Sequence, residues 1–323
     1  FNAEREVKET LESIREAVSG CSIELIVIDD GSTDQTLTLL AGLHWPENCL
    51  VMTQANCGLS NVRNLGASLA RGVWLAFLDS DDLITGAGFD AMRRLADNPG
   101  TDLILARTEI FGRSVGRHQP FYDWAFWEMI LDRRKTAVFC KGQEPRLMAL
   151  EPNMNYRWIR RSFYNATEIR FPEGLLFEDT PAHFLMLLRA REVALTSSIY
   201  YRYRVNRPGK ITEEKSLRRF DVIPVIRLAL DVLMQESSQP LEAAYGLRGL
   251  FRLSWGCGTM VPLARRYGFF RQVVCLYSGL PSEWKKNYQK VKSIDFAHQL
   301  LGLLMRRQMA EMLFLMSVWR DLT

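Results

Sequence analysis

The stretch Leu75-Ala76-Phe77-Leu78-Asp79-Ser80-Asp81-Asp82 decides how this chain is read, because an apolar run delivers the backbone straight into three carboxylates. A parallel strand buried on both faces reads as a continuous apolar run, and ligands of open α/β sheets collect where such strands end. Carboxylates crowded at that point repel one another. The natural resident is therefore a hard divalent cation that carries a phosphate-bearing substrate. The plainer alternative is a strand end followed by an Asp/Ser helix cap.

Outward from this run, helices and short strands alternate. Val7, Leu11, Ile14 and Val18 have helical spacing, with Gly20 as the stop. Glu24 to Ile28 reads as a strand ending in Asp29-Asp30-Gly31-Ser32, Thr33 to Leu43 as a helix, Leu50 to Thr53 as a strand, and Leu59 to Ala70 as a helix. Beyond the acidic run, Phe89 to Ala96 is helical and Asp102 to Ala106 extended, then Thr180 to Arg189 is an amphipathic helix and Val193 to Tyr203 extended. This alternation predicts an α/β fold with a doubly wound, mostly parallel sheet. Gly112 to Pro152 is looser and rich in aromatic and basic residues. From Ser216 onward the pattern is helical, broken by Pro240, Gly256, Gly258 and Gly279 to Pro281, which predicts an α-helical appendage.

The 323 residues suffice for a core domain plus such an appendage. An apolar fraction of 47% and a charged fraction of 24% exclude disordered and fibrous classes. A net charge of +4 is too mild to argue for nucleic acid. Its distribution says more: from Glu213 onward there are 16 Lys/Arg against 10 Asp/Glu, and before it 25 against 27. With its many Leu, Met, Phe and Trp residues, the basic tail is a candidate for peripheral contact with an anionic membrane surface, the alternative being a solvated helical face. The six cysteines form no CxxC pair and read as reduced thiols. No apolar run reaches the roughly 18 residues of a membrane span. The best candidate, Gly302 to Trp319, is interrupted by Arg306, Arg307 and Glu311.

Four polar clusters occur in order: Asp29-Asp30-Gly31-Ser32-Thr33-Asp34, Asn56-Cys57-Gly58-Leu59-Ser60-Asn61-Val62-Arg63-Asn64, Asp79-Ser80-Asp81-Asp82, and Phe177-Glu178-Asp179-Thr180. Together they resemble the inverting nucleotide-sugar glycosyltransferases of the large bacterial family 2, from Phe1 to about Thr212. The resemblance implies a GT-A catalytic domain over residues 1–212, followed by a helical C-terminal region, 213–323. It implies that Asp30 accepts a hydrogen bond from the donor's uracil ring, a role a carboxylate suits. Asn56, Gly58 and Arg63 then belong to the donor-binding stretch N-x-G-x-x-x-x-R-N, with Arg63 toward the nucleotide's negative charge. Asp79 and Asp81 become the DxD pair, Asp79 holding ribose or sugar and Asp81 a Mg2+ or Mn2+ cofactor. Glu178-Asp179 becomes the catalytic ED pair, with Asp179 as the general base that takes the acceptor hydroxyl's proton. Taken alone, these two acids would merely favour the first turn of a helix. Arg207 and Lys210, in the segment Tyr200 to Thr212, would touch the diphosphate.

The implied protein is a metal-dependent enzyme of hexosyltransferase type. Its donor is a nucleoside diphosphate sugar, UDP-linked, and its acceptor a glycan or lipid-linked glycan of surface-polysaccharide assembly. The expected location is the cytoplasm, at the inner face of the cell membrane. Family members begin with a strand leading into a Pro-x-Tyr-Asn segment, whereas this sequence opens at Phe1-Asn2-Ala3-Glu4. The expectation is a fragment lacking its first strand, poorly soluble or inactive when expressed alone. Two rival readings remain. A haloacid-dehalogenase-like phosphohydrolase also places Asp-x-Asp at a strand end, normally on the chain's first strand, and a degenerate GT-A-like domain could serve as a binding module.

Overall fold

Why the acidic run sits where it does follows from the elements around it. The computed structural model describes residues 1–43, 45, 47–112, 118–206, 215–291 and 296–322. The strands are β1 (Leu25–Asp29), β2 (Cys49–Thr53), β3 (Trp74–Ala76), β4 (Leu83–Ile84), β5 (Leu103–Phe111), β6 (Gln119–Pro120), β7 (Thr136–Cys140), β8 (Arg157–Arg160) and β9 (Glu192–Arg204). Between them run α1 (Val7–Ala17), α2 (Thr36–Ala41), α3 (Leu59–Leu69), α4 (Gly86–Ala96), α5 (Trp124–Leu131), α6 (Arg161–Ala166) and α7 (Asp179–Arg189).

The alternation is thus as predicted, but the sheet is mixed. Strands β1 and β2 pair in parallel as a sheet of their own, and a second sheet has the order β3-β8-β5-β9-β4, with β6 on β5 and β7 on β9. Among the described residues only β5 and β9 are parallel in that second sheet, and its other five pairings are antiparallel. Strand β4 is one reversed strand, and the aromatic and basic stretch after Gly112 accounts for the others. It supplies β6 and β7, and β8 follows it, all three entering against the direction of the sheet's parallel pair.

The expectation for residues 75–78 also needs correction. Strand β3 is three residues long and is hydrogen-bonded to β8 alone among the described strands, with Leu75 buried and Ala76 exposed. The strand buried on both faces is instead β5, whose residues Leu103 to Ile110 are all buried. Each fully buried Leu or Ile there contributes roughly 1.5–3 kcal/mol. Residues 77–82 form an irregular connection from β3 to β4. Nor do the carboxylates cap the next helix: Thr85 is the N-cap of α4, its hydroxyl accepting from Gly88 N–H at 3.0 Å. Gly88 is required there, since a Cβ would lie 2.3 Å from the Ile199 carbonyl oxygen.

The chain separates into two compact units that interleave in sequence. The first comprises Phe1–Lys141, Asn153–Gly174 and Arg189–Arg207; the second comprises Gly142–Pro152, Leu175–Leu188 and Pro208–Thr323. The expected boundary after Thr212 lies outside the described residues. The second unit contains α8 (Val222–Glu236), α9 (Pro240–Met260), α10 (Leu263–Leu276), α11 (Ser282–Lys290), α12 (Phe296–Arg306) and α13 (Ala310–Leu322). Its core includes Leu233, Leu247, Phe251, Phe269 and Tyr277. The buried Arg266 guanidinium ties α10 to α13, donating to Asp321 at 2.8 Å and to the Ser317 carbonyl at 3.2 Å. No described helix is long and apolar enough to cross a membrane.

Candidate active site

At the end of β1 two adjacent aspartates divide the work. Asp29 holds its own turn, accepting from Gly31 N–H at 3.2 Å, Ser32 N–H at 3.0 Å and the Thr53 hydroxyl at 3.2 Å. Asp30 holds the next loop: Oδ1 accepts from Gln54 Nε2 at 2.7 Å and Cys57 N–H at 2.9 Å, and Oδ2 from Gly58 N–H at 2.8 Å. Burial pushes the Asp30 carboxyl up, but these three donors outweigh it and hold the group below the usual carboxylate range. The two polar clusters are thereby joined. Gly31, at φ +73°, is a backbone contact as well as a turn residue, since a Cβ would lie 2.8 Å from Asn56 N. Asn56 is exposed, and Gly58, at φ +87°, is the N-cap position of α3.

Helix α3 connects this loop to the acidic run. Arg63 is buried, donates from Nη2 to Asp79 Oδ1 at 3.1 Å, and places its guanidinium 5.5 Å from the centre of the Phe171 ring. One turn away, Ser60 donates to the Pro172 carbonyl at 2.7 Å, while Asn64 exchanges two hydrogen bonds with the Phe171 backbone. The stretch expected to read the donor therefore also clamps the turn Phe171-Pro172-Glu173-Gly174, four residues before Glu178.

The three carboxylates of the acidic run have different surroundings. Asp79 Oδ2 accepts from Asn155 Nδ2 at 2.8 Å, so both of its oxygens are engaged. Asp81 lends its carbonyl oxygen to Arg204 Nε at 2.6 Å. Asp82 is buried, accepting from Arg204 N–H at 2.7 Å and from the Tyr201 hydroxyl. Burial, and then the negative charges of Asp81 and Asp79, push the Asp82 carboxyl well above its ordinary range. Burial, and then the charges of Asp82 and Asp79, push the Tyr201 phenol up as well. From the other side, the Thr10 hydroxyl of α1 fixes the loop by donating to the Ser80 carbonyl at 2.9 Å.

Glu178 and Asp179 fall in the second unit, Asp179 as the first residue of α7 and Glu178 buried beside it. Phe177, just before them, takes φ +67°, and the buried Arg219 lies 5.7 Å from the centre of its ring. Arg207 and Lys210 lie outside the described residues. Asn155, Tyr201, Arg204 and Arg219 are functional candidates that the motifs do not disclose. Asn155 stands alone beyond the looser stretch, and Tyr201 looks in sequence like one more strand aromatic.

Among the described residues no three His, Cys, Asp or Glu side chains converge as a cage for a metal ion. A divalent ion of the Mg2+ type needs no such cage, since it is commonly held by one or two carboxylates together with substrate phosphates and water. Burial raises the Asp82 carboxyl first, and the neighbouring charges of Asp81 and Asp79, which add to it, suit a cation of that kind.

Fold and site define an α/β domain of GT-A type built to present carboxylates at its strand ends. Residues 1–148 match the family model described as glycosyl transferase family 2, and they are a family 2 glycosyltransferase domain. The uncharacterized glycosyltransferase EpsJ of Bacillus subtilis is 23% identical over 316 residues, 93% of this chain and 83% of that protein. The succinoglycan biosynthesis protein ExoO of Rhizobium meliloti is 27% identical over 243 residues, 68% of this chain and 64% of that one. The crystal structure of Staphylococcus aureus TarS 1–349 in complex with UDP-GlcNAc superposes with a TM-score of 0.76 at 20% identity, over 99% of this chain and 89% of that one. This last likeness concerns the fold.

Proposed function

We propose that this protein is an inverting glycosyltransferase that moves a hexose from a UDP-linked donor to a hydroxyl of a glycan or lipid-linked glycan in surface-polysaccharide assembly. The observation that carries the reading is the joining of three sequence clusters through side chains: Asp30 to Cys57 and Gly58, and Arg63 to Asp79. Relatives named as a succinoglycan biosynthesis protein and a poly(ribitol-phosphate) β-N-acetylglucosaminyltransferase support the substrate class.

In this reading Asp30, whose Oδ2 accepts one described hydrogen bond, has lone-pair capacity left for a uracil N–H. Gly58 and Asn56 shape the loop beside it, and Arg63 places positive charge next to Asp79 where the diphosphate binds. Asp81, with Asp79, would hold a Mg2+ or Mn2+ ion, which when bound stabilises the charge of the departing diphosphate as a Lewis acid. Asp179 takes the acceptor proton as general base while the hydroxyl oxygen attacks the anomeric carbon opposite the diphosphate, and Glu178 supports it. The diphosphate contact assigned to Arg207 belongs to the same reading. The basic C-terminal helices would rest peripherally on the inner membrane face. Residues 1–212 would form the catalytic domain and 213–323 its helical appendage.

The phosphohydrolase reading asks Asp79 to act as a nucleophile. Its position after the third strand, with both oxygens engaged by Arg63 and Asn155, speaks against that role. The test is an Asp179→Asn variant assayed with UDP-sugars and Mn2+. UDP binding by calorimetry should match wild type while transfer is lost, and near-wild-type turnover would remove Asp179 from its role.

A further inference from the structure

We propose that Asn155 and Tyr201 are positioning residues that allot the three carboxylates of the acidic run, fixing Asp79 toward the donor and holding Asp82 in the protein core. The inference rests on the reading of Asp79 and Asp81 as the donor-holding pair. Asn155, Tyr201 and Asp82 are each no more than 1% exposed, and a continuous chain of hydrogen bonds runs through them. Asn155 Nδ2 donates to Asp79 Oδ2 at 2.8 Å and to the Tyr201 hydroxyl oxygen at 3.0 Å; that hydroxyl donates to Asp82 Oδ2, and Asp82 Oδ1 accepts from Arg204 N–H at 2.7 Å.

At its Asp79 end the direction of this chain is fixed by chemistry. An ionised carboxylate only accepts, so the Asn155 group facing Asp79 must be its NH2. Tyr201 has one proton, and with that proton on Asp82 its oxygen is left to accept from Asn155. Arg63 completes the hold on Asp79 from the opposite oxygen at 3.1 Å. Asp79 is thus clamped at two points. Asp82, 1% exposed, turns both oxygens to partners inside the protein, whereas the clamped Asp79 side chain stays 30% exposed, so exposure sets the donor-facing carboxylate apart from the buried one. Within this buried chain Asn155 Oδ1 has no described partner, so the arrangement depends on the donors of Asn155 and Tyr201 staying in place. Losing Tyr201's hydroxyl leaves Asp82 one donor short, and losing Asn155 frees Asp79 to rotate.

Calorimetric titration of wild type, Tyr201→Phe and Asn155→Ala with UDP over a range of Mn2+ concentrations tests this, together with a thermal melt of each. The expected result is UDP binding about tenfold weaker in both variants, the scale of one lost hydrogen bond to a charged group. The Mn2+ concentration for half-maximal binding should rise as well, with the acceptor KM unchanged. A purely structural role would lower the melting temperature and leave both binding readouts as in wild type, and that outcome overturns the inference while the donor reading stands. If wild type itself binds no UDP, the donor reading fails and the inference fails with it. Tyr201→Phe keeps the ring's volume and decides the matter should Asn155→Ala fail to fold.

Discussion

Asn64 and Phe171 lock onto each other at two points: Asn64 Nδ2 donates to the Phe171 carbonyl at 2.9 Å, and Phe171 N–H donates to Asn64 Oδ1 at 3.0 Å. A side chain on α3 thus substitutes for a strand neighbour along a stretch that has no regular structure. Asn64→Ala orphans both backbone groups, at about 1–3 kcal/mol of stability for each that stays buried. Asn64→Asp keeps the acceptor and loses the donor. The expected order of stability in urea unfolding is wild type, then Asp, then Ala, with transferase activity falling in the same order. An Ala variant as stable as wild type would show that the clamp contributes nothing.

Arg63 does two things at once, pairing with Asp79 and lying over the Phe171 ring. A lysine can supply the charge but not the planar group that covers an aromatic face. Arg63→Lys should therefore keep the fold and weaken UDP binding several-fold, whereas Arg63→Met should weaken it further by leaving Asp79 with Asn155 as its described partner. Equal binding by the Lys and Met variants would show that the charge at this position is without effect on the donor.

Much of the first unit was legible in the sequence because its signals are local. The strand ends at Asp29 and Thr53 and the Gly58 start of α3 each depend on a few adjacent residues. The direction of strands was not legible. Strand β8 is antiparallel to both β3 and β5, a choice made by contacts far apart in the chain. The burial of the acidic run was misjudged for the same reason: β3 has a single described neighbour, and no residue within it reports that. Asp79, Asp81 and Asp82 look equivalent as letters, and they differ because Asn155 and Tyr201 reach them from positions more than seventy residues downstream.

The glycines of the site make a comparative test. Gly31 and Gly58 both have positive φ, but a Cβ at Gly31 would meet the Asn56 backbone at 2.8 Å, whereas a Cβ at Gly58 meets nothing within 4 Å. Gly58→Ala should lose about 1–3 kcal/mol from backbone conformation alone, since φ +87° with ψ 165° is a region glycine alone occupies readily. Gly31→Ala must also displace a neighbouring backbone segment, so it should be the more destabilised variant and should lose UDP binding with it. Denaturant unfolding of the two proteins decides the order, and Gly58→Ala proving the weaker would contradict the close approach.

Asp30 makes the stability of this region depend on pH in a direction that can be worked out. Its folded carboxyl titrates below the ordinary value because three donors favour the charged form more than burial disfavours it. Between the folded and unfolded values the unfolded chain binds more protons, so stability rises with pH in that interval. The contribution is fully present above the unfolded value and is lost as pH falls through the folded one. Asp30→Asn has no such titration and presents an NH2 group to a loop that already offers donors from Cys57, Gly58 and Gln54. Urea unfolding at neutral pH should therefore show wild type well above Asp30→Asn, with the gap narrowing as pH is lowered below the ordinary aspartate value. A gap that stays constant through that range would mean that the carboxylate charge does not hold the loop.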